Sequence, residues 1–94
     1  MLLTKPLPEL GDLKGAIYDF ELAGDILPRH SHTEENNHIT IVCRGKIKAY
    51  ADTWEREAAA GQILDFYVGE PHELKALEDN TRIVNVVKKM GGTI

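Results

Sequence analysis

All four histidines of the chain fall into one spacing pattern, and the imidazole is the commonest protein ligand for transition metals. His30 and His32 stand two apart, His38 follows the polar run Thr33-Glu34-Glu35-Asn36-Asn37, and His72 closes the turn Gly69-Glu70-Pro71. In an extended strand residues i and i+2 point to the same face about 6.6 Å apart, so the first pair can converge on one ion. His38 and His72 each open a stretch rich in apolar and β-branched residues, and strand pairing can deliver both to the same place. A solvated His-Ser-His pair and an incidental turn histidine would be the plain alternative, but it leaves the glycines that flank both histidine segments without a role.

The elements that must position these side chains read as strands. AIYDFEL (16–22), ILPRHSH (26–32), HITIVC (38–43), the alternating KIKAYA (46–51), QILDFY (62–67), a stretch over 72–77 and RIVNVV (82–87) are β-prone and are separated by Gly, Asn, Asp and Pro. Trp54 to Ala60 is either a return strand or a single helical turn. Seven or eight short strands with turns every 8 to 12 residues predict an all-β chain, a small antiparallel sandwich or barrel with little or no helix. Pro6, Pro8, Gly11 and Gly15 predict an irregular N-terminal arm over 1–15, followed by one barrel domain over 16–94.

Composition narrows the function classes. A chain of 94 residues has room for one core, and 43% hydrophobic with 28% charged residues is ordinary for a folded protein. The net charge of -4 and the absence of a basic stripe argue against nucleic acid as a partner. With Cys43 as the only cysteine, neither an internal disulfide nor a zinc finger can form. No stretch approaches membrane-spanning length, and the apolar run after Met1 stops at Leu3 before Lys5 and Pro6, so no secretory signal is read and a cytoplasmic location is expected.

Two segments resemble the paired motifs of the cupin superfamily. The first runs Gly24, five residues, His30-Ser31-His32, five residues, His38, six residues, Gly45. The second runs Gly61, five residues, Tyr67-Val68-Gly69, two residues, His72, three residues, Ala76, and 15 residues (46–60) separate the two. The resemblance covers about residues 16 to 87 and implies a jelly-roll β-barrel that binds one metal ion through two histidines and a glutamate of the first motif and a histidine of the second. Here His38 stands where that glutamate is usual, with one extra residue after His32; Tyr67 replaces a proline and Ala76 an asparagine. Counting back from Gly45 selects His38 as the third ligand, whereas counting forward from His32 favours Asn36 or Asn37, with Glu35 the nearest carboxylate. The expected ligand set is therefore His30, His32, His38 and His72, with Glu35 the alternative to His38.

Four neutral imidazoles leave a divalent ion with its charge of about +2, which favours an anionic partner. Nitrogen-only ligation suits Fe, Mn, Zn, Ni, Co or Cu and disfavours Mg and Ca. The resemblance implies an enzyme of dioxygenase, isomerase, lyase or decarboxylase type acting on a small anionic organic molecule. The alternative is a non-catalytic cupin that binds or senses a small molecule or the metal. Among the other polar residues, Asp65 is expected to point outward if Leu64 and Phe66 face the interior, and Tyr67 to be a packing residue in its turn. Arg29 should meet solvent or a partner, Cys43 should face away from the metal as a small apolar residue, and Trp54 should cap a barrel end or join an interface. Ile39, Ile41 and Cys43 form an apolar row opposite His38, which predicts a homodimer.

Overall fold

The computed structural model describes residues 1–8, 13–32 and 38–88. Nine strands cover most of them, and no helix occurs among the described residues: β1 (Leu2–Pro6), β2 (Leu13–Phe20), β3 (Ile26–His30), β4 (His38–Arg44), β5 (Lys46–Ala51), β6 (Glu55–Ala59), β7 (Ile63–Asp65), β8 (His72–Ala76) and β9 (Thr81–Lys88). They form two antiparallel sheets, in the orders β1-β2-β9-β4-β7 and β3-β8-β5-β6. This is the jelly-roll arrangement expected from the sequence, and Glu55–Ala59 settles the ambiguous segment as a strand.

One expectation is corrected at the N-terminus. Leu2–Pro6 is not irregular but pairs with Ala16–Phe20, and β2 starts at Leu13, inside the segment read as an arm. Pro6 is tolerated because β1 is an edge strand, where one side of the ladder needs no N–H donor.

Alternation then assigns the faces. Phe20, Val42, Thr81 and Ile83 of the larger sheet and Ile47, Ala49, Leu74 and Ala76 of the smaller one point inward and are buried. Gly45 joins β4 to β5 with φ of +81°, and a Cβ there would lie 2.3 Å from the Thr81 hydroxyl, so only glycine fits the corner. On the outer face Arg82 makes a two-pronged ion pair with Asp19, at 2.7 and 2.9 Å. That pairing holds the Asp19 carboxyl below the usual carboxylate range.

Candidate metal centre

The ladder between β3 and β8 decides which way the histidines face. Ile26 pairs with Lys75 and Leu27 with Leu74, but His30 pairs with His72, so one extra residue is accommodated between Leu27 and His30. Strict alternation from the inward Leu27 would turn Arg29 inward and His30 outward. The bulge reverses this, aiming His30 at the same side as the fully buried His72. It also leaves Arg29 outside, where its guanidinium meets Asp52 at 2.8 Å and Glu73 at 2.9 Å. His32 follows just past the end of β3, and its carbonyl accepts the Gly69 N–H at 2.8 Å, which ties it to the turn that delivers His72.

His30, His32 and His72 consequently come together, with one ligand nitrogen of each lying within 4.8 Å of the others. Their ring centroids are 4.5 to 5.0 Å apart. Two of them are held in the same way: His30 Nδ1 lies 2.8 Å from the Pro28 carbonyl and His72 Nδ1 2.9 Å from the Glu70 carbonyl. A carbonyl oxygen only accepts, so each Nδ1 carries the proton and each Nε2 presents a lone pair. For His72 that Nε2 is buried and has no hydrogen-bond partner among the described residues. An orphaned buried acceptor is costly and uncommon, and a cation among three imidazoles is what would satisfy it. Burial also lowers the His72 pKa, which keeps the ring in the neutral, ligating form.

The fourth histidine stands beside this trio rather than within it. His38 is delivered by the first residue of β4, and its Nδ1 lies 2.8 Å from His32 Nε2. Burial again lowers its pKa, followed by repulsion from His30, His72 and Lys14. The four-histidine set expected from the sequence is thus three grouped nitrogens plus one ring hydrogen-bonded to a member of the group. Glu35, Asn36 and Asn37, the alternatives to His38, lie outside the described residues.

Aromatic packing that sequence reasoning did not assign supports the site from behind. The Phe66 ring stacks on His72 with centroids 3.8 Å apart and planes 3° from parallel, and Trp54 stacks on Phe66 at 6.0 Å. Trp54 Nε1 donates to the Glu70 carboxylate at 3.0 Å, while the Glu70 carbonyl accepts from His72. Trp54 is therefore the outer end of a column leading through Phe66 to His72. Asp65 is exposed between buried Leu64 and Phe66, as anticipated. Tyr67, expected to pack, is 74% exposed, because the turn after β7 points it to solvent. A signal for Glu70 was present: both anchored histidines bond the carbonyl two residues before them, in Pro28-Arg-His30 and Glu70-Pro-His72.

No family model matches the sequence, and no curated protein does either. Solved structures do match. KdgF from a Halomonas species superposes with a TM-score of 0.81 at 18% identity, over 94% of this chain and 80% of that one. A cupin superfamily protein from Desulfitobacterium hafniense gives 0.79 at 9% identity, over 95% and 78%. An RmlC-like cupin protein from Desulfovibrio desulfuricans gives 0.75 at 25% identity, over 92% and 81%. The chain has the cupin fold. The histidine cluster lies where the ends of β3 and β8 meet, and its donor set, three imidazoles of which two have fixed tautomers and one a buried lone pair, fits a transition-metal ion.

Proposed function

We propose that this cupin holds one divalent first-row transition-metal ion on His30, His32 and His72, with His38 as a fourth ligand, and acts as an enzyme on a small anionic organic molecule. The observation that carries the reading is the buried His72 Nε2, without a hydrogen-bond partner among the described residues, on a ring grouped with two other imidazoles. A bound ion would supply Lewis acidity there, and with uncharged ligands it would keep its full charge of about +2 in a poorly screened setting. The chain's own contribution is orientation. The Pro28 and Glu70 carbonyls fix two tautomers, Phe66 fixes the plane of His72, and the β3 bulge turns His30 inward. The exposed, unpaired Cys43 suits a reducing compartment such as the cytoplasm.

Metal analysis of the purified protein, followed by calorimetric titration of the chelator-treated protein with Zn²⁺, Mn²⁺, Ni²⁺ and Fe²⁺, tests the reading. One ion per chain is expected, with at least about tenfold weaker binding in His72→Ala. A protein that takes up none of these ions, or takes them up equally without His72, refutes it.

A further inference from the structure

Beside the histidines, at the end of the five-stranded sheet, the inner face opens into a cavity of about 360 Å³. Strand register builds it in rows. Val87 pairs with Lys14 on one side and with His38 on the other, so Lys14, Val87 and His38 form one row across β2, β9 and β4. The next row is Ala16, Asn85 and Thr40. Two interstrand spacings set the Lys14 and His38 backbones roughly 10 Å apart, with Val87 as the floor between them. Leu7 adds an apolar wall.

Two polar groups of this cavity, on Lys14 and Asn85, offer donors to an occupant. Lys14 lines it, and its ammonium makes neither an ion pair nor a hydrogen bond among the described residues. Asn85 is committed through its oxygen, because the Thr40 hydroxyl donates to Oδ1 at 2.7 Å, so its amide N–H groups remain for an occupant. No carboxylate stands among the described lining residues to neutralise Lys14. A cation on a mostly apolar recess with no carboxylate beside it favours an anion over a neutral guest. The apolar floor and wall would stay wet around a bare inorganic ion and are covered only by a guest with a hydrocarbon body.

We propose that the cavity binds a small organic monocarboxylate, with its carboxylate on Lys14 and Asn85, its apolar body over Val87 and Leu7, and its far end against His38. The inference rests on the metal-centre reading for its purpose, since His38 is the wall shared by the cavity and the histidine cluster. Its binding contacts belong to the chain alone. The carboxylate is held at the far end from the cluster, so recognition of the anion and contact with the metal centre are separate.

The test is an NMR titration of the full ¹⁵N-labelled chain with benzoate, and with benzyl alcohol as an uncharged guest of like shape. It is run on chelator-treated and zinc-loaded protein and on the Lys14→Gln and Lys14→Arg variants. Benzoate is expected to move the amides of Ala16, Asn85 and Val87 in both forms. Benzyl alcohol should bind at least about tenfold more weakly, Lys14→Gln should lose at least about tenfold for benzoate, and Lys14→Arg should restore most of it. Equal binding of the alcohol, equal benzoate affinity in Lys14→Gln, or benzoate binding only to the zinc-loaded protein without regard to Lys14 would overturn the assignment. A chain that takes up no zinc yet binds benzoate through Lys14 keeps the cavity and removes the metal reading. Zinc uptake without Lys14-dependent benzoate binding does the reverse.

Discussion

Replacing His72 by leucine distinguishes a residue kept for a ligand from one kept for the core. His72 is 0% exposed, and truncating so buried a side chain ordinarily costs about 2–5 kcal/mol. Leucine is close in volume, which removes most of the cavity contribution. Three local effects then remain. Removing the partnerless buried Nε2 relieves about 1–3 kcal/mol of desolvation. Losing the Nδ1 bond to the Glu70 carbonyl costs about 1 kcal/mol. Losing the stack on Phe66 costs about 0.5–1.5 kcal/mol. These nearly cancel, so metal-free His72→Leu should match the metal-free parent to within about 1.5 kcal/mol, despite full burial.

Metal reverses the balance. An ion at 100 times its dissociation constant stabilises the parent by about 2.7 kcal/mol, and a domain of this size shifts by about 4–8 °C in Tm for each kcal/mol. The parent should therefore rise by about 10–20 °C on saturation, and the variant by little. Thermal unfolding at pH 7.5, with and without chelator, reads both numbers. Trp54, the only tryptophan and one ring away from His72 through Phe66, supplies the fluorescence signal. A metal-free loss above about 3 kcal/mol would make His72 a structural residue. An equal metal shift in parent and variant would place the ion elsewhere.

Three further outcomes follow from the same geometry. His38→Ala should weaken metal affinity by at least about tenfold and Glu35→Ala should barely change it; the opposite ranking in calorimetry would exchange their roles. The His72 and His38 pKa values are lowered in the fold from an ordinary 6.5, so the unfolded chain takes up protons first on acidification. Their contribution to stability should be complete above about pH 6.5 and decline as pH falls below it, which urea midpoints of the metal-free protein across pH 5 to 8 will show or deny. Outside the barrel, Ile17, Val84, Ile41 and Ile63 lie in one row across four strands, with Ile63 62% exposed and Ile39, two residues from Ile41 on the same face, 50% exposed. A homodimer is expected through this face, with Ile41→Glu monomeric by light scattering; a monomeric parent at tens of micromolar would refute it.

How much of this was legible in the sequence depends on how far each feature reaches along the chain. His30 and His32 share a face because they are two apart on extended backbone, and that is local information. That His30 faces inward at all is not: counted from Leu27 it has the wrong parity, and only the bulge before it corrects the phase. Pro28 marked the place without saying that an extra residue would be absorbed there. The N-terminal strand was hidden for a related reason, since Pro6 and Pro8 signal breakage whereas an edge strand tolerates one missing donor. Lys14 and Asn85 were invisible as site residues. Lys14 reaches the row of His38 only through Val87, so the row joins residues from three strands that are distant in sequence, and no local pattern records that register. The stack of Phe66 on His72 is of the same kind, crossing from the larger sheet's edge to the smaller sheet. Chemistry-bearing residue types were thus readable wherever one strand carried them. The surroundings that give them a tautomer, a neutral state and a neighbouring cavity come from pairing between distant strands, which a single sequence specifies without displaying.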